Sequence, residues 1–241
     1  MTDSPLPPPP PSVSTPPPGY VMYGAESGSL PQPHGLRRAT LIAFSAVTLF
    51  CVALAVLAYR RGTLLDDFFT SGDVTVQELS DADNMVSTFA WALIGLQVGA
   101  AVLLAIWAHR TVSNAKRRHP YSDVSPSWVA GGWFIPVANL IVPWIHLRRA
   151  CTAGAGRAPA ATRGATPRSL HMWQAAFALQ FVLNRVASGM GKVEGGLSRQ
   201  DAIDEMHRQG IYFFLVAALL ALGTLAASKA MPQVDAAAAE G

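Results

Sequence analysis

The sequence predicts an all-α, multi-pass membrane protein with a disordered proline-rich tail, on three observations. Charged residues make up 14% of the 241 and apolar-class residues 51%, against roughly 25% charged in an ordinary globular domain. The apolar residues are bunched into blocks near the ~20 residues that cross a ~30 Å hydrocarbon core as a helix. Eleven of the eighteen prolines fall within residues 1–36, a segment too poor in apolar side chains to form a core. The expected organisation is a disordered cytoplasmic tail over 1–36, a membrane domain over 37–229 and a short disordered tail over 230–241. The membrane domain is expected to hold four transmembrane helices plus a Trp/Pro-rich re-entrant or interfacial helical hairpin.

The tail lacks the basic start and apolar run of a signal peptide. Its runs Pro7–Pro11 and Pro16–Pro18 offer preformed polyproline II structure to a proline-binding groove on a cytoplasmic partner. A flexible solvated tail is the commoner use of such tracts and is favoured here. The first apolar block, Ala39–Tyr59, is uncharged and bracketed by Arg37–Arg38 and Arg60–Arg61. An acidic stretch follows, in which Thr75 with Glu78, or Ser80 with Asp83, has capping-box spacing. Either leads into the second block, Val86–Ala108. There Gly95 and Gly99 form G-x-x-x-G, which lets another helix approach closely. Packing inside the chain is the first expectation for this pair and a dimer contact the second.

The most informative stretch runs from Ser125 to Arg149. Ser125 before Pro126 reads as a helix cap with proline at the first helical position. Pro136 forces Ile135 out of the helical region, and Asn139 is expected to cap a second short helix with Pro143 in its first turn. Two helices of about ten residues would each rise about 15 Å, half the hydrocarbon thickness. The expected element is therefore broken, with Trp128, Gly131, Gly132, Trp133, Pro136, Asn139 and Pro143 as its defining residues. The tryptophans suit the headgroup level.

A third block, Leu170–Ala187, is interrupted by His171, Gln174, Gln180, Asn184 and Arg185, whose polar groups are expected to face other helices. The last block is Ile211–Ser228. With four spans and the Trp-rich stretch re-entrant, 12 Lys/Arg fall on one side (residues 1–38, 109–127, 148–169 and 229–241) and 6 on the other. A fifth span would make the split 10 against 8. The positive-inside bias selects four spans with both termini cytoplasmic. Ten of the fifteen acids then lie outside.

The run Trp107-Ala-His-Arg110 followed by Ser125-Pro-Ser-Trp-x-x-Gly-Gly-Trp-Phe-Ile-Pro-Val-x-Asn-Leu-x-x-Pro143 resembles the bacterial, mostly actinobacterial, membrane domain of unknown function 4328. The resemblance covers roughly residues 50–225. His109–Arg110–Thr111 departs from it where the family more often has an Arg-Asn pair. It implies a location in a bacterial cell membrane and this fold, and it brings no activity with it.

No catalytic constellation is legible: H-E-x-x-H, a glycine-rich phosphate loop and G-x-S-x-G are all missing. His109, His119, His146 and His171 match no metal-ligand spacing, and the outer acids do not alternate as in a calcium loop. Basic residues flank apolar blocks, which orientation explains without nucleic acid. Two cysteines exclude a disulfide scaffold. The expected role is a non-enzymatic interaction or scaffold protein, without cofactor, whose tail and basic loops meet cytoplasmic partners or anionic lipid. The alternative is a small transporter or channel component using the break around Pro136–Pro143.

Overall fold

The structure is a computed structural model that describes residues 33–135, 137–153, 166–190 and 198–239. Among these residues every regular element is a helix. The proline-rich tail up to Gln32, and Pro136, lie outside the described residues.

Helix α1 spans His34–Thr70, starting within the segment expected to be tail. It continues past the Arg60–Arg61 bracket and stops where the backbone N–H groups of Ser71 and Gly72 both bond the Asp67 carbonyl. Gly72 has φ +72°, a left-handed conformation in which a side chain would clash with the following carbonyl. Helix α2, Val76–Arg118, starts at the first of the two expected boxes. Thr75 Oγ1 accepts from the Glu78 N–H at 3.2 Å, and Glu78 Oε2 accepts from the Thr75 N–H at 2.7 Å. Lys116, Arg117 and Arg118 occupy its last turn, where positive charge offsets the exposed carbonyl dipoles.

Two short helices follow, α3 over Pro126–Gly131 and α4 over Val142–Thr152. Helix α5 covers Arg168–Met190 and α6 covers Arg199–Ala239. A second capping box, Ser198 with Asp201, opens α6. Its start lies well before the apolar block at Ile211, and the Ser-x-x-Asp spacing was the available signal.

One expectation about extent is corrected. Residues 230–239 are not a disordered tail: α6 runs through Pro232 to Ala239, and Ala230, Met231, Val234 and Ala238 are buried. They share a core with Trp107, Val112 and Ala115 of α2, and this burial sustains a helix that composition alone would not. Three described helices, α1, α2 and α6, are long and apolar enough to cross a membrane. Helix α5, the fourth expected span, has 23 residues and is less apolar than these three, being interrupted by five polar side chains.

The helices form an antiparallel bundle. Arg37 meets Asp235 and Tyr59 meets Gly210, so α1 and α6 run in opposite directions. Along α5 and α6, Ser169 donates to Gln233 at 2.9 Å, Gly223 faces Ala176, and the Tyr212 hydroxyl donates to Asn184 at 2.5 Å. Helix α5 therefore runs alongside the whole apolar block of α6.

The α1–α6 contact is the closest in the bundle. A Cβ at Gly210 would lie 3.0–3.1 Å from Tyr59 Cβ, Cα and N, and one at Gly62 would enter the His207 ring. That ring stacks on Tyr59 with centroids 4.8 Å apart. By contrast, Gly95 and Gly99 are exposed and a Cβ at either meets nothing within 4 Å. The expected packing of this pair against another helix of the chain is overturned. It lies on the outward face of α2, beside the exposed Trp91 and Val98.

Gly210→Ala should lower stability by about 1–3 kcal/mol, because the new methyl meets backbone rather than a yielding side chain. Gly95→Leu and Gly99→Leu should leave the thermal unfolding midpoint in detergent unchanged. Equal loss in all three would show that α2 packs differently.

Candidate functional site

The basic end of the bundle holds the two features with the most chemistry, the broken Trp-rich element and a buried carboxylate. In the broken element, Ser125 caps α3 as expected, its hydroxyl accepting from the Trp128 N–H at 3.4 Å with Pro126 in the first turn. A single 3₁₀ turn, Gly132–Phe134, extends α3 until Ile135 turns extended at φ −100°, ψ 115°. This is the conformation that a following proline enforces. Asn139 does not cap α4. It sits inside a second 3₁₀ turn, Ala138–Leu140, its N–H bonded to the Ile135 carbonyl at 2.9 Å. Helix α4 begins instead after Ile141 with no side-chain cap and with Pro143 in its first turn, where a missing N–H costs nothing.

The element folds back on itself. The Ser125 N–H donates to His146 Nδ1 at 3.2 Å, and Arg149 pairs with Asp123 at 2.6 Å. Its start and end are thereby joined at one level. Gly132 is buried against the ring of Pro143, which a Cβ would approach to 3.1 Å. Glycine is required there so that the two arms can touch. Gly131 has no such neighbour, and Trp128 is exposed.

Trp133 and Trp144 pack edge-to-face with centroids 5.3 Å apart, and Trp144 meets Trp173 of α5 at 5.1 Å. Trp173 also contacts Trp107 of α2 and Phe44 of α1. Four buried indoles thus link the broken element to α1, α2 and α5, with Trp133–Trp144 and Trp144–Trp173 in the edge-on geometry that aromatic quadrupoles favour. Gln174 and Arg148 hydrogen-bond, and Gln174 also donates to the Leu140 carbonyl at 3.3 Å. These contacts fix α5 to the break. The indole N–H groups of Trp133 and Trp144 and the Asn139 amide oxygen are buried without a partner among the described residues.

Next to this aromatic cluster lies Asp235, 3% exposed. Its Oδ1 accepts from Trp107 Nε1 at 3.1 Å and from Thr111 Oγ1 at 2.8 Å, and its Oδ2 from Arg37 Nη1 at 3.2 Å. It follows Lys229, outside the apolar block of α6. Burial raises its carboxyl above the usual carboxylate range, against the opposing pull of Thr111, Arg37 and Trp107. Sequence reading missed it because Asp235 was assigned to a disordered tail. Among the described residues, no three His, Cys, Asp or Glu side chains gather as metal ligands would.

Asp235→Ala should destabilise by about 3–5 kcal/mol, since it leaves a guanidinium and two buried donors without their acceptor. The raised carboxyl also sets a pH trend. The native state holds this proton more tightly than the unfolded chain, so its contribution is full below the unfolded value near ~4 and is lost as pH rises through the raised folded value. The unfolding midpoint of the parent minus that of Asp235→Asn should therefore fall as pH rises from acid towards neutral. A difference that grows over that range would mean the carboxylate is held ionised.

Comparison with curated proteins and with solved structures gives no match. Among protein families, Domain of unknown function (DUF4328) matches residues 70–232. The matched region contains α2 to α5, the whole broken element, and Trp107 and Thr111, while Asp235 lies just beyond its end and Arg37 well before its start. The match covers well over half of the sequence, and the chain belongs to the DUF4328 family.

Proposed function

We propose that this is a non-enzymatic scaffold of the bacterial cell membrane, crossing four times, with both termini and its basic end in the cytoplasm. The observation that carries the reading is the separation of charge along helices that outrun a bilayer. At 37, 43 and 41 residues, α1, α2 and α6 are roughly 55, 65 and 60 Å long, about twice a ~30 Å hydrocarbon core. Their ends form packed platforms. One carries Arg37, Lys116–Arg118, Arg149 and Lys229 around the broken element. The other carries acids and is tied by the Arg61–Asp83 and Arg199–Asp66 pairs. The positive-inside bias turns the basic platform to the cytoplasm.

The alignment of α5 with the apolar block of α6 supports α5 as the fourth crossing, with Gln174 turned onto the break and the exposed His171, Asn184 and Arg185 towards its two ends. The joined ends of the Trp-rich segment support re-entry, because helices of 6 and 11 residues reach only about 9 and 16 Å. Tyr121, Trp128, Phe134 and Val137 are exposed at this end. With the adjacent arginines they form a surface suited to anionic headgroups or a cytoplasmic protein, and the proline-rich tail adds a second contact.

A small transporter or channel component is the second reading, favoured by an amide-lined groove between α2 and α5. The break itself argues against a pathway, since Gly132, Pro143 and the paired indoles fill the space one would need.

Single cysteines at Ser14, Ser122 and Ala160 should all be protected from an impermeant thiol reagent in intact cells and labelled after permeabilisation. Labelling of Ala160 from outside would make the Trp-rich segment a span and sink the four-helix arrangement. A photocrosslinking residue at Tyr121 should capture a specific protein or anionic lipid in native membranes, while one at Trp91 captures only bulk lipid. Equal capture at both positions would remove the platform from the function.

A further inference from the structure

Helices α2 and α5 touch at Trp107 and Trp173, then part, leaving a groove floored by α1 and α6. Two cavities lie along it. The inner one, about 220 Å³, is lined by Leu104, Trp133, Phe177 and Leu219; the outer, about 570 Å³, by Leu54, Leu93, Ile94, Phe213 and Val216. They meet at Gln97, Gln180 and Asn184, which line both. The outer cavity falls within the range of small-molecule sites, about 300–1,000 Å³, and the inner lies just below it.

Gln97 lies midway along the apolar block of α2 and Gln180 midway along that of α5. An amide at that depth costs several kcal/mol unless something accepts its hydrogens. Neither side chain has a hydrogen-bond partner among the described residues, although the Asn184 carbonyl is engaged by Tyr212. Trp133, nine-tenths buried and lining the inner cavity, keeps an indole N–H without an acceptor. Three donors without an acceptor therefore line the inner cavity; apart from Asn184 and Thr224, the rest of its lining is hydrocarbon and aromatic. At the outer mouth, Arg208 is paired with Glu205 at 3.2 Å, so the groove presents no uncompensated charge there.

We infer that this groove binds a fatty-acyl molecule from the bilayer. Its carbonyl or carboxyl oxygens accept from Gln97, Gln180 and Trp133 in the inner cavity. Its chain lies in the outer cavity and leaves between α2 and α5. The inference rests on the long helices crossing a bilayer and goes beyond the scaffold reading. It holds whether or not the basic platform has a partner.

The test uses the full-length protein in phosphatidylcholine vesicles doped with palmitic acid carrying a chain diazirine. After irradiation, label should map to α2 and α5 around Leu93, Gln97 and Asn184. Unlabelled palmitic acid should displace it and hexadecane should not. Ala101→Phe, which fills the inner cavity, should reduce labelling about tenfold. Gln97→Leu with Gln180→Leu, at positions outside the core, should do the same by removing two hydrogen bonds. Val98→Phe on the outward face should change nothing. Label spread evenly over the outward face around Trp91, insensitivity to the glutamine pair, or equal displacement by hexadecane would each overturn the assignment.

Discussion

A carboxylate out of water at the meeting point of three helices is the constraint to which the basic end of this protein is built. Asp235 brings a guanidinium from α1 and an indole and a hydroxyl from α2 onto one residue of α6. A buried ion pair contributes little net stability against an apolar replacement, but a broken one is severe. The consequence is specificity of arrangement. Helices that slide by one turn in an apolar bundle lose little contact, whereas here a slide strands a charge and two donors. This fixes the axial positions of α1, α2 and α6. It also places Trp107 where Trp173 can reach it, and through Trp173 and Trp144 the broken element is fixed as well.

The bundle is packed unevenly, and glycine positions decide where. On the α1–α6 side, Gly62 and Gly210 let a tyrosine and a histidine ring lie between backbones. In a bilayer, where lipid tails are as apolar as the side chains they replace, such close approach is the main source of helix association. On the α2–α5 side no small residue plays that part, and the amides of Gln97 and Gln180 stand where tight contact would otherwise form. The tight side gives the molecule its shape; the open side gives it an interior that other molecules can enter from the membrane.

The broken element illustrates how prolines define a structure without disrupting it. Pro126 and Pro143 occupy first turns, where the missing donor is harmless, and the extended Ile135 places the chain reversal between them. With Gly132 in contact with Pro143, the two arms lie close enough for Trp133 and Trp144 to pair edge-on. The element acts as a plug against α2 and α5, with its apolar outer surface left exposed.

Helical class, the long apolar blocks, the Thr75–Glu78 start of α2, the Ser125–Pro126 start of α3 and the extended break at Ile135 were all legible in the sequence. Apart from the blocks, which need only a contiguous run of about twenty residues, each depends on residues within about four positions of one another, and the family pattern lies in the same local punctuation. The roles of Gly95, Gly99, Asn139 and Asp235 were not legible. G-x-x-x-G permits close packing without naming a partner, and an asparagine can cap or lie in a turn with equal local ease. An aspartate six residues after a lysine in an alanine-rich stretch reads as solvated tail until Arg37, nearly two hundred residues away, comes within 3.2 Å of it. Short-range capping and hydropathy determined where helices exist; which faces meet, and which polar groups they must satisfy, was decided by long-range packing alone.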